Sequence, residues 1–130
     1  MTPDPDAQKL LHGWQHGNVM APDCPSRPVL QHLSSRWGVL VMVALATGPH
    51  RFAQLRRTVG GVSERMLSQT LKELEADGFV LRVAHDVVPP HVVYSLTPLG
   101  AGAARHVTAL VGWIEGNLGA ILSCRPAVAA

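Results

Sequence analysis

Cysteine is scarce in this 130-residue chain: Cys24 and Cys124 are its only two, a hundred positions apart, and neither sits in a CxxC pair. That excludes a disulfide framework, and in a reducing compartment both begin as thiols. Charge is sparse too, at 15% of residues with a net of +2, too little to name a partner by itself. Long apolar runs are lacking as well. The longest uncharged one, Trp37 to Gly48, is about half the roughly 20 residues a membrane-spanning helix needs, so it reads as a core helix. No basic stretch precedes an apolar one at the N-terminus, so nothing argues for secretion and a cytoplasmic location is expected.

What the chain does have is apolar residues, 47% of the total, enough for one domain with a real core. The first 28 residues are rich in Pro, Gly, Asp and His and suggest a loose start. Charge is also uneven. From Arg51 to Lys72 there are five cations, Arg51, Arg56, Arg57, Arg65 and Lys72, against the single acid Glu64.

Val29, Leu30, Leu33, Trp37, Leu40, Val41, Ala44 and Leu45 recur at spacings of three and four. They predict one long helix, or two consecutive helices kinked near Gly38, stopped by Gly48-Pro49. A shorter amphipathic helix follows, with Phe52, Leu55 and Val59 on one face, closed by the Gly60-Gly61 turn. Ser63 is placed as an N-cap with Glu64 in the first turn. The helix it opens turns Leu67, Leu71 and Leu74 inward and ends at Gly78. Its other face carries Arg65, Ser68, Gln69 and Lys72 at i, i+3, i+4 and i+7, one stripe of hydrogen-bonding side chains.

"FVLRVA" and "HVVYSLT", separated by a Pro-Pro loop, predict a two-stranded hairpin. Thr97-Pro98 is an N-cap and N1 pair opening a last helix. Its stripe of Ala103, Val107, Leu110, Val111, Ile114, Leu118, Ile121 and Leu122 runs about seven turns, longer than a small core can cover.

The fold class expected is therefore mainly α with a small β-hairpin (α+β), a winged helix-turn-helix. A polar stripe is ordinarily just a solvated helix face; here the order of elements and the local positive excess favour nucleic acid. Arg65, Ser68, Gln69 and Lys72 have the chemistry to read base edges, since Arg and Lys suit guanine, Gln suits adenine and Ser either base or phosphate. Arg51, Arg56 and Arg57, with Ser63, suit the phosphate backbone. Glu73, Glu75 and Asp77 lie at the far end of the helix, which fits entry by its N-terminus.

The chain resembles the HxlR-type winged helix-turn-helix transcriptional regulators, relatives of the MarR type. The resemblance runs from Cys24 to about Trp113 and rests on Cys24-Pro25, "LSSRWGVLVMVAL", "GPHRFAQLRRTVGGVSERMLSQTLKELEADGFVLR" and "VPPHVVYSLTPLG". It implies a homodimer with N- and C-terminal dimerisation helices outside the winged core, binding a palindromic double-stranded DNA operator as a repressor or activator, with repression the leading expectation. The expected organisation is an arm over 1–23, flexible or partly helical, the winged domain with its C-terminal dimerisation helix over 24–122, and a tail over 123–130. Where the family's wing has an arginine this chain has His91, and Val93 replaces a glutamate; Arg82 and His85 stand as substitutes for the wing contact. Gly38 stands where the family has threonine.

Cys24 matches a family cysteine that in several members senses oxidants or electrophiles, which implies redox sensing; a bridge to Cys124 of the other subunit requires that N- and C-terminal helices of opposite subunits meet and that the Cα atoms lie within about 7 Å. Arg27 and a helix start near Ser26 to Pro28 would favour its thiolate, whereas Asp23 opposes it. The alternative is a small apolar residue packed at a helix start, with a reversibly bound small ligand as inducer. His12 and His16 share i, i+4 spacing, but no second pair supports a metal site and none is expected. No cofactor is expected either. Nor is an enzyme, because no Ser, Cys or His stands in a spacing that assembles a nucleophile with its base. The competing class is a winged-helix protein-interaction module without DNA readout.

Overall fold

A computed structural model describes residues 2–13 and 18–126. Its first helix, α1 (Pro5–Leu11), is capped by the Asp4 carboxylate, which accepts from the Asp6 and Ala7 amides, and it buries none of its residues. The helical reading of the following apolar segment holds, but its break lies elsewhere. Helix α2 (Ser26–Ser34) ends and α3 (Arg36–Leu45) begins at Ser35, which is extended at φ −67°, ψ 154° and whose Oγ accepts from the Gly38 amide at 3.1 Å. Gly38 is not the kink. It is buried, and a Cβ there would overlap the His32 carbonyl at the end of α2. The glycine serves close approach of the two helices.

The two-residue strand β1 (His50–Arg51) leads into α4 (Phe52–Thr58), whose start is tied by the Arg51 amide donating to Gln54 Oε1 at 2.8 Å. Gly61, at φ +89°, makes the turn to α5 (Glu64–Ala76). Gly78, at φ +86°, ends that helix as expected. The hairpin of β2 (Val80–His85) and β3 (His91–Leu96) follows, in register from Val80↔Leu96 to His85↔His91. The sheet has three strands rather than the expected two, in the antiparallel order β1-β3-β2, because His50 and Arg51 pair with Tyr94 and Val93.

Val41, Met42, Leu45, Leu55, Leu67, Leu71 and Leu74 form the centre of the core, with Phe79, Val80, Ala104 and Val107 closing it. Helix α5 is thereby pressed against α3, and α2 lies across its C-terminal half. Thr97 caps α6 (Pro98–Gly116), accepting from the Gly100 amide at 2.9 Å while its hydroxyl donates to the Gly78 carbonyl at 2.5 Å. That second bond locks the turn at the end of α5 to the start of the last long helix.

The predicted seven-turn helix is interrupted at Asn117 (φ −116°, ψ 11°), whose side-chain amide donates back to the Trp113 carbonyl; α7 (Leu118–Ser123) continues beyond it. The apolar stripe survives the interruption and stays uncovered. Leu110, Trp113, Ile114, Leu118 and Leu122 are all exposed, Trp113 to 60%. An apolar groove of about 390 Å³ between α2 and α6, lined by Leu30, Leu33, Val39, Val107 and Leu110, extends this face. Among the described residues no helix is long and apolar enough to cross a membrane.

Candidate nucleic-acid interface

Helix α5 forms where Ser63 Oγ accepts from the Met66 amide at 3.1 Å and Glu64 complements the helix dipole. Burial of Leu67, Thr70, Leu71 and Leu74 fixes its rotation. The opposite side presents Arg65, Gln69 and Lys72 as exposed side chains, with Ser68 half-buried beside them. The four residues expected to read bases thus share one exposed face. Gln69 is already engaged, its Nε2 donating to Glu73 Oε1 at 3.0 Å.

The expected backbone contacts surround that face unevenly. Arg51 is exposed at the start of α4, and Arg56 and Arg57 are exposed in its last turn. Arg56 Nη1 lies 3.2 Å from Glu64 Oε1, so part of its charge is neutralised by the acid in the first turn of α5. Among the described residues Arg57 has no ion-pair partner and is the freer cation. Ser63 is spent as a cap only through its acceptor lone pair; its O–H remains available to a phosphate.

At the wing the three expected residues separate. His85 and His91 are cross-strand partners with stacked rings, centroids 4.8 Å apart. Arg82 pairs with Tyr94, an odd number of residues away from His85, so it emerges on the other face of the hairpin. One face therefore carries the histidine pair and the other the arginine.

Three features of the site were not anticipated from sequence. Met66 is exposed beside Arg65 on the first turns of α5, where an apolar side chain can meet a thymine methyl. Glu64 restrains Arg56. Glu73, read only as an acid remote from the groove, holds Gln69 and faces His32 from α2. The i, i+4 spacing of Gln69 and Glu73 was the available signal for the first of these contacts.

Both cysteines are free thiols. Cys24 is buried, 7% exposed, in the turn before α2, and Cys124 is exposed at the end of α7. The Cys24 amide donates to the Ala21 carbonyl at 3.1 Å and its own carbonyl accepts from the Arg27 amide at 3.0 Å. Arg27 Nε and Nη2 donate to the Val19 and Met20 carbonyls at 2.9 and 2.8 Å, so the expected thiolate helper is committed to backbone of the preceding segment. Among the described residues no group of three or more His, Cys, Asp or Glu could hold a metal; His16, half of the His12/His16 pair, lies outside them.

A capped helix with a polar, cationic exposed face, reached through a glycine turn and followed by a hairpin that completes a three-stranded sheet, defines a winged helix-turn-helix regulator. The sequence profile of the HxlR-like helix-turn-helix family matches residues 32–121, and the chain belongs to that family of transcriptional regulators rather than to an enzyme family. It is 59% identical over 111 residues to the HTH-type transcriptional regulator YtfH of Escherichia coli (strain K12), covering 85% of this chain and 88% of that one. The solved structure of the transcriptional regulator YtfH from Salmonella typhimurium is 60% identical, with a TM-score of 0.78 over 82% of this chain and 96% of that one. The redox regulator HypR in its oxidised form is 36% identical, with a TM-score of 0.67 over 72% and 97% of the two chains.

Proposed function

We propose that this chain is a homodimeric, sequence-specific DNA-binding repressor of the cytoplasm, inserting the N-terminal half of α5 into the major groove. Arg65, Ser68, Gln69 and Lys72 contact base edges, while Arg51, Arg56, Arg57 and Ser63, with His85, His91 and Arg82 of the wing, contact the backbone. The observation that carries this reading is the exposed Arg65–Gln69–Lys72 face on a helix whose other side is locked into the core. The uncovered apolar face of α6 and α7 supports a second copy as partner, since a monomer rarely leaves so contiguous a patch in water. Two copies of α5 would then read a palindrome with half-sites roughly 10 base pairs apart. Fluorescence anisotropy on the DNA upstream of its own gene tests the reading. Salt-sensitive, sequence-selective binding is expected, and its absence from folded protein would instead favour an interaction module.

The same proposal makes Cys24 the trigger, released by oxidation or electrophile attack. Solved relatives support it: HypR is a redox regulator with oxidised and reduced forms, and a diamide-treated YodB from B. subtilis is 30% identical with a TM-score of 0.61. In a disulfide between Cys24 and the second subunit's Cys124, two thiols lose two protons and two electrons to a peroxide, hypochlorite or quinone. The burial of Cys24 favours a second reading, a packed structural cysteine with a reversibly bound small ligand as inducer. Non-reducing electrophoresis and mass spectrometry of oxidant-treated wild type and Cys24→Ser separate the two. Oxidant-induced DNA release that needs Cys24 supports the trigger, and release unaffected by the substitution removes it.

A further inference from the structure

Helix α2, which starts two residues after Cys24, is joined to α5 through His32. His32 Nδ1 lies 2.5 Å from Asp77 Oδ2, and His32 Nε2 lies 3.9 Å from Glu73 Oε2. The contact is partly sheltered, with the His32 and Asp77 side chains 24% and 16% exposed. Glu73 in turn accepts from Gln69 Nε2 at 3.0 Å. Gln69, Glu73 and Asp77 are four residues apart along one edge of α5, so they stack. Glu73 thus bonds Gln69 on α5 and also borders His32 of α2, which Asp77 holds.

The chemistry of these groups gives the series a direction. A carboxylate only accepts hydrogen bonds, so the NH2 of Gln69, and not its Oε1, must face Glu73. One N–H is used there. The second N–H and Oε1 remain, on the outer side of the amide, and are the donor and acceptor that a bidentate contact to adenine N7 and N6 requires. Glu73 thus selects one of the two flips of the amide and removes rotamer freedom that binding would otherwise cost. The His32 ring is held by Nδ1–H donating to Asp77, and its Nε2, 3.9 Å from Glu73 Oε2, borders that carboxylate without a hydrogen bond to it.

We infer that Glu73 is the positioning residue that fixes the amide of Gln69 for base readout, and that His32, anchored by Asp77 and packed beside Glu73, makes that readout depend on the seating of α2. The inference rests on the proposed role of Gln69. It predicts that shifting α2, the helix next to the buried cysteine, alters discrimination at one base position before it alters overall affinity.

The test is enrichment from randomised duplex DNA by full-length wild type, Gln69→Ala, Glu73→Ala, Glu73→Gln and His32→Ala, with thermal unfolding of each. Wild type should enrich a motif, and Gln69→Ala should lose preference at one position per half-site. Glu73→Ala should lose preference at that same position, by about five- to tenfold, the low end of what a bidentate base contact contributes. Its salt slope should be unchanged. Glu73→Gln, whose carbonyl still accepts from Gln69, should restore much of the preference, and His32→Ala should lose part of it. A merely structural role would instead lower stability and weaken binding to all sequences alike. Folded Glu73→Ala with the wild-type motif overturns the inference; because Glu73 is partly exposed, this variant decides the matter even where His32→Ala does not fold. Folded wild type that enriches no motif overturns the DNA-reading proposal and this inference with it.

Discussion

Replacing Gly38 by alanine separates two physical accounts of one residue. If Gly38 were only a flexible point in a helix, alanine would be stabilising by up to about 1 kcal/mol, the ordinary gap in helix propensity. In the structure the added methyl would overlap the His32 carbonyl and crowd the capping Ser35 Oγ, and the first obstacle is backbone that cannot rotate away. Overpacking of this kind costs about 1–3 kcal/mol, and because Gly38 sits in the first turn of α3 the propensity gain offsets little of it. For a chain of this length that is a fall in Tm of roughly 4–12 °C, read by circular dichroism with urea unfolding as the second measure. The α2–α3 angle must open to relieve the overlap, which also carries His32 away from Glu73 and Asp77. Gly38→Ala should therefore lose base preference at the position where Gln69→Ala loses it, as well as stability. An unchanged or raised Tm would refute the close-approach argument.

Leu67→Ala removes a fully buried side chain from the face that fixes the rotation of α5, and should cost about 2–5 kcal/mol in denaturant unfolding. Arg57→Ala should weaken binding to all DNA sequences and reduce the salt slope by about one, more than Arg56→Ala, whose cation is shared with Glu64. Glu64→Gln frees Arg56 and should tighten DNA binding a few-fold at low salt, measured by anisotropy. Leu110→Glu places a charge on the uncovered face of α6 and should shift sedimentation from dimer to monomer with little change in monomer helicity.

The features legible in the sequence are those decided locally. Ser63, Thr97 and Gly78 act as caps and stops because a side chain or a positive φ within a few residues sets them. The exposed polar face of α5 was legible because burial of Leu67, Leu71 and Leu74 dictates what faces outward. The helix break at Ser35 was misplaced because the demand for glycine at residue 38 comes from a carbonyl in the preceding helix, which periodicity does not encode. Strand β1 escaped because two residues carry no alternation, and only pairing with Tyr94 and Val93 makes them a strand. The splitting of Arg82 from the two histidines follows from hairpin register, and the His32–Asp77 contact joins residues 45 positions apart. The burial of Cys24 and the bonding of Arg27 to the Val19 and Met20 carbonyls are outcomes of chain folding that residue spacing does not encode.

The most direct test of the central claim is a salt titration of binding to operator DNA and to a scrambled duplex of equal length, comparing wild type with Gln69→Ala. The account predicts wild-type selectivity for the operator that persists as affinity falls with salt, and a loss of that selectivity in Gln69→Ala at nearly unchanged salt slope. Equal affinity of the wild type for both duplexes at every salt concentration would contradict it.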